Sequence, residues 1–172
     1  YSKFAELNKI DILEVGHGNG LGASSLTIGR SKVSNIEAIK LAKKNLKNTK
    51  LSVHSIPGFS TLDDVKLAID YGADIIRVGC NSLDIDIIER QFLYCKKNKV
   101  ESWCVFMMFH QIYQNDKYIS IVKNLKKLGI KTFIVMDSAG ILLPDDVSKI
   151  FSNLNNMKQP HIPINSIGLC LY

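Results

Sequence analysis

The chain has 172 residues, 46% of them hydrophobic and 22% charged, with a formal net charge of +6 from 22 Lys and Arg against 16 Asp and Glu. That length sets the expectation of one domain spanning 1–172, large enough to bury a core without disulfide or metal staples. The composition excludes a disordered chain, and no apolar run reaches the roughly 18–20 residues that a membrane span needs.

Tyr1–Lys9 has the periodicity of an amphipathic helix entered midway, with no signal peptide, so the chain is expected to be part of a longer one. Ile10–Val15 is the first β-rich run, followed by the Gly-rich loop Gly16–Ser25. Ser34-x-x-Glu37 predicts a capping box, and Ile36, Ile39, Ala42 and Leu46 then form one apolar helical face. Leu51–Ile56 is the second run, ended by Pro57-Gly58. Ser60 or Thr61 caps the next helix, through Leu62, Val65 and Ile69, and Gly72 stops it.

Asp74–Gly79 is the third run and precedes a helix through Ile85, Ile88 and Phe92. Trp103–Met108 is the fourth, followed by a helix using Tyr118, Val122 and Leu125 that Gly129 ends. Thr132–Met136 is the fifth run, Pro144 opens a helix through Val147, Ile150 and Leu154, and Ser166–Tyr172 is the sixth run. Strand starts recur at the spacing of βα units, and the strands read as nearly continuously apolar, as parallel strands covered on both faces do. Right-handed crossovers then give either an open doubly wound sheet or part of a (β/α)8 barrel. The dinucleotide fingerprint is not met: Gly16, Gly18, Gly20 and Gly22 alternate, and a long polar stretch separates them from the next helix.

The surplus lysines fall mostly on helix faces (Lys40, Lys43, Lys44 and Lys47; Lys123, Lys126 and Lys127), which reads as solvated surface. No basic stretch interleaved with aromatics suggests nucleic-acid binding, and no membrane association is expected. Cys80, Cys95, Cys104 and Cys170 are scattered through apolar contexts, as buried thiols of a reducing cytoplasm would be.

In parallel α/β folds the chemistry gathers at the C-terminal ends of strands. Those ends carry Glu14 and His17, His54 and Ser55, Arg77 and Asn81, His110, and Asp137 and Ser138. In this order and spacing, EVGHGNGLGASS (Glu14–Ser25), Ile56-Pro57-Gly58, Arg77-Val78-Gly79, Phe106-Met107-Met108-Phe109-His110 and Met136-Asp137-Ser138-Ala139-Gly140 resemble the 4-hydroxy-2-oxovalerate aldolase family, within the pyruvate aldolase, HMG-CoA lyase and isopropylmalate synthase superfamily. The resemblance implies a (β/α)8 TIM barrel, present here as a partial barrel of six βα units, family strands two to seven.

It further implies a lyase that cleaves a 4-hydroxy-2-oxoacid to pyruvate and an aldehyde using Mn²⁺ or Mg²⁺, commonly paired with an acylating acetaldehyde dehydrogenase. The ion would act as Lewis acid towards the keto acid while a base takes the 4-hydroxyl proton. Ser138 matches the position that touches the pyruvate moiety; otherwise it caps a helix. Glu14, His17, Asp137 and His110 complete the expected substrate-binding set. His17 is read as a wall of the site or as a His bonded to its own loop, and Asp137 as an anchor behind the site or a turn acid. His110 is read as a ligand or a satisfied loop His. Met107, Met108 and His54 are assigned to packing.

The family's Arg-Asp-Gly at strand one, and the base that follows it, have no counterpart here. Its His-x-His positions on strand seven are occupied by Cys170 and Tyr172. The metal site of this chain is therefore expected to be incomplete, as a fragment or as a degenerate paralogue serving as a binding or scaffold subunit. Six of eight strands leave two open edges, so completion by flanking segments or self-association through those edges is expected.

Overall fold

The computed structural model describes residues 1–113, 117–156 and 166–171, with Asn156 and the last segment described by backbone alone. The element order is α1 (Ser2–Leu7), β1 (Ile12–Glu14), α2 (Asn35–Lys43), β2 (Lys50–Ser55), α3 (Leu62–Asp70) and β3 (Ile75–Asn81). A 3-10 turn (Ile85–Ile88) then leads into α4 (Glu89–Lys97), β4 (Glu101–Met107), α5 (His110–Tyr113), α6 (Lys117–Lys127), β5 (Thr132–Asp137), α7 (Pro144–Asn156) and β6 (Ser166–Leu171). Each run expected to be a strand is one, although β1 is shorter than Ile10–Val15. Among the described residues no helix is long and apolar enough to cross a membrane.

All strand pairs are parallel, and the sheet order β1-β2-β3-β4-β5-β6 follows the chain. Strand order never reverses, which excludes the doubly wound alternative. The helices pack against one face of the sheet: Ile39, Ala42, Val65, Ala68, Phe92, Cys95, Val122, Leu125, Ile150 and Leu154 share a core with Leu51, Val53, Ile76, Val78, Cys104, Phe106, Phe133 and Val135. Phe106 and Phe133 stack at 6.0 Å with 8° between their planes, and Phe109 meets Phe106 at 5.9 Å. The other face carries the alternate residues, among them Glu14, Ser52, His54, Ile75, Arg77, Gly79, Trp103, Val105 and Met136.

Local signals set the helix starts. Ser34 Oγ accepts from the Glu37 N–H at 3.2 Å while Glu37 Oε2 accepts from the Ser34 N–H at 3.1 Å, so both halves of the capping box form. Thr61 rather than Ser60 caps α3, with Asp64 returning a 2.8 Å bond from the Thr61 N–H. Ser60 is buried in a ring with Ser55 (2.7 Å) and Gln91 (3.3 Å) that ties the end of β2 to α4. At the opposite end of the sheet, the Glu6 carboxylate accepts from the backbone N–H groups of Lys47, Asn48 and Thr49, latching α1 to the α2–β2 connection. Those donors, led by Lys47, pull its carboxyl down to about 2.

The Gly-rich loop after β1 lies across the end of β2. The Leu21 N–H donates to the His54 carbonyl at 2.9 Å. At Gly20, with φ +87°, an added Cβ would stand 2.7 Å from that carbonyl oxygen, and at Gly22 it would run into the Phe59 carbonyl. Gly20 and Gly22 thus admit close backbone contact, whereas a Cβ at Gly18 would meet nothing within 4 Å.

Candidate functional site

Because every strand is parallel, the C-terminal ends form one rim, and Glu14, His17, His110, Asp137 and Ser138 all lie at or just past it. Glu14 ends β1 on the face opposite the helices. Its Oε2 accepts from Arg77 Nη1 at 2.5 Å and from Ser52 Oγ at 3.4 Å. Arg77 of β3 thus supplies the counter-charge of this strand-end carboxylate. The pair is unequally sheltered, with side-chain exposure of 37% for Glu14 and 19% for Arg77. Arg77 Nε is buried without a partner among the described residues.

His54 is the neighbour that packing alone does not explain. It sits beside Arg77 in register on β2 and β3, 9% exposed. Its Nδ1 lies 3.0 Å from the Arg77 carbonyl oxygen, so Nδ1 carries the proton and Nε2 the lone pair. Burial, then the Arg77 charge, push its pKa below the ordinary histidine value. The imidazole is accommodated because residue 79 is glycine: a Cβ there would stand 2.7 Å from His54 Cε1. Ser52, His54, Arg77 and Gly79 thus form one patch with Glu14, and the alternation Leu51-Ser52-Val53-His54 was the signal for it in the sequence.

The other residues of the expected site are placed as follows. His17 Nδ1 accepts from the Asn19 N–H at 3.1 Å, so its ring is bonded within its own loop, and the His17 N–H donates to Asn35 Oδ1 at 3.2 Å, tying the loop to the start of α2. Ser138 does not cap a helix. Its Oγ accepts from the Met108 N–H at 3.1 Å, joining the ends of β4 and β5 where Met108 takes a left-handed φ of 53°. Met107 and Met108 are half-buried at this rim rather than core.

Asp137 is 2% exposed, and its register places it on the helix-covered side. Its Oδ2 accepts from the Leu142 N–H at 2.9 Å and holds the turn after β5, while Oδ1 is buried without a partner among the described residues. His110 opens α5 with Nδ1 likewise buried and unpartnered there. Cys170 stands opposite Met136 in β6, and Tyr172 lies outside the described residues.

This donor set does not fit a divalent ion. Among the described residues no three His, Cys, Asp or Glu side chains come close enough to hold one. Glu14 is committed to Arg77, His17 Nδ1 to its loop, and Asp137 to its turn, whereas Mn²⁺ and Mg²⁺ want several oxygen or imidazole donors converging. Cys80 and Cys95 are no substitutes, since burial pushes each thiol up to about 12.

No family-level sequence profile matches the chain. Individual proteins do. A 4-hydroxy-2-oxovalerate aldolase of Spirochaeta aurantia is 39% identical over 155 residues, covering 90% of this chain and 45% of that protein. A protein of the same name from Serratia proteamaculans is 35% identical over 174 residues, 99% of this chain and 52% of its own. The chain spans about half the length of the curated relatives it matches.

Among solved structures, the carboxyl transferase domain of Rhizobium etli pyruvate carboxylase (Y628A, with pyruvate) superposes with a TM-score of 0.74 at 17% identity, covering 98% of this chain and 30% of that one. The N-terminal domain of a Bacteroides vulgatus protein provisionally called an aldolase gives 0.72 at 22%, covering 98% and 54%. Bacillus subtilis HMG-CoA lyase gives 0.64 at 14%, covering 80% and 49%. These likenesses carry the fold alone, and they agree with six βα units of a TIM barrel with helices outside. By sequence the chain is similar to the 4-hydroxy-2-oxovalerate aldolases, of which it spans about half the length.

Proposed function

We propose that the encoded protein is a carbon–carbon lyase of the aldolase type, cleaving a 4-hydroxy-2-oxoacid to pyruvate and an aldehyde. The observation that carries this reading is the 39% identity to a protein of that name over 90% of the chain. The rim supports it: Ser138 presents a hydroxyl whose hydrogen remains free to donate, and Arg77 brings a cation beneath the rim with its charge partly balanced by Glu14. A hydroxyl donor and a held guanidinium suit a substrate bearing a carboxylate and a keto oxygen. His17 and His110 at the same rim complete the proposed substrate wall, with Asp137 fixing the turn that presents Ser138.

Mn²⁺, the ion the family resemblance implies, finds no donor set among the described residues, and no step is assigned to it. Residues 1–172 as one partial-barrel domain, a cytoplasmic location, an acylating acetaldehyde dehydrogenase as partner, and self-association through the β1 and β6 edges belong to the same proposal. A second reading, a non-catalytic binding or scaffold subunit, is favoured by the residues Cys170 and Tyr172, which the family resemblance implies would otherwise be histidines.

The test is pyruvate release from 4-hydroxy-2-oxovalerate with Mn²⁺, run on the full encoded protein and on residues 1–172 alone. Turnover is expected from the first and background from the second. Background from both would overturn the lyase reading in favour of the scaffold.

A further inference from the structure

At the end of the sheet opposite the rim, where β2, β4 and β5 begin, lies a concavity of about 550 Å³. That is within the ordinary size of a small-molecule cleft. Lys50, Lys96, Lys99 and Lys131 line it, and Glu101 is the one carboxylate among its described lining residues. We propose that this concavity is a second binding site, for a small organic polyphosphate; it stands independently of the lyase reading above.

Three observations carry it. Glu101 is already committed, accepting from Lys50 Nζ and from Trp103 Nε1, each at 2.8 Å. Lys96, Lys99 and Lys131 have no ion pair among the described residues, so three positive charges border one opening without a counter-charge. Lys96 runs along the turn after α6, its Nζ 3.8 Å from where a Cβ on Gly129 would stand, which keeps the amine beside the cleft. The turn from α4 to β4 supplies the third observation. The corresponding turns after α3 and α6 place Gly72 and Gly129 in the left-handed region, at φ 105° and 97°. Lys99 takes that conformation at φ 57°, as Lys9 does after α1, so two of these four turns exchange the freedom of glycine for a cation.

Amines gathered in a concave site focus their field on an anion, and each is a point charge suited to phosphate oxygens. A monocarboxylate would balance one of the three free charges, whereas a triphosphate chain balances all of them. Phe92 and Leu128 add apolar lining, which suits an organic group carried by the phosphates.

The experiment is calorimetric titration of the full encoded protein with inorganic tripolyphosphate, ATP and adenosine in about 0.15 M salt. Tripolyphosphate and ATP are expected to bind saturably with Kd below about 1 mM, ATP the tighter, and adenosine not to bind measurably. Lys99→Gly removes an amine while relaxing the left-handed backbone, so affinity is expected to fall about fivefold with no loss of melting temperature. Lys96→Gln combined with Lys131→Gln is expected to lower affinity about tenfold, and Lys123→Gln, on the solvated face of α6, to leave it unchanged. Absence of saturable binding overturns the proposal, as does an affinity that Lys99→Gly and the double variant leave unchanged. An equal loss in Lys123→Gln also overturns it, since the binding would then be a diffuse charge effect. ATP binding no tighter than tripolyphosphate overturns the organic part of the assignment.

Discussion

Along β2 the side chains of Leu51 and Val53 enter the helix-packed core, while those of Ser52 and His54 join Glu14 and Arg77 on the other face. The helix side is held by area and shape: aromatic rings in contact and thiols used as small apolar fillers. The other side is held by directed contacts between a few charged and polar groups of three strands. Mutations should therefore act by opposite rules, with lost volume dominating on one face and lost partners on the other.

The largest effect is expected on the helix side. Phe106→Ala removes a fully buried ring packed against Phe109 and Phe133, and should cost about 3–5 kcal/mol, read as a lower midpoint in urea unfolding. A loss below about 1 kcal/mol would mean that this layer is loosely packed.

Next comes the pair across the other face. Arg77→Met leaves Glu14 without its cation, and since Glu14 is more than a third exposed the loss should be about 1–2 kcal/mol, well short of a fully buried pair. Adding Glu14→Gln should recover part of it, and a strictly additive double variant would show that the two side chains are uncoupled.

The pH dependence sharpens the contrast further. His54 is held below its ordinary value of 6.5, so the folded state binds fewer protons than the unfolded one. Its contribution is full above about pH 6.5 and is lost as pH falls through the lowered value. His54→Leu should flatten that part of the profile of unfolding midpoint against pH, with circular dichroism as readout. Glu6 acts at lower pH: the contribution of its latch is present above 4.5 and lost as pH falls through about 2, so Glu6→Gln should lower the melting temperature at neutral pH and converge with wild type near pH 2. Smallest of all, the buried Cys80, Cys95 and Cys104 thiols, with pKa raised by burial, should resist a thiol reagent at pH 7 until urea unfolds the chain.

The helix-covered layer was legible in the sequence because it is written in short range. Apolar runs bounded by Gly and Pro gave the strands, and Ser34-x-x-Glu37 gave the start of α2. The open face was not, because its contacts join residues far apart: Glu14 and Arg77 are 63 positions distant and meet only once the register of β1, β2 and β3 is known. The strands as a set read as nearly continuously apolar, which masks the Leu51-Ser52-Val53-His54 alternation along β2. Asp137 could be narrowed to an anchor or a turn acid, but the choice depended on which face of β5 it took. The metal question has the same origin, since convergence of donors is a property of three dimensions that no spacing in this chain encodes.

The strictly consecutive order of the sheet has a consequence for how the chain comes into being. From β2 onward every strand pairs with the one synthesised just before it, through a single intervening connection. The loops to be closed are therefore short, and the sheet can lengthen at one edge as residues leave the ribosome, without waiting for a distant partner. Each added unit buries the flank of its predecessor and presents a fresh flank to the next. Growth of this kind lets a gene lengthen or shorten the array by whole units, while the contacts already made stay as they are.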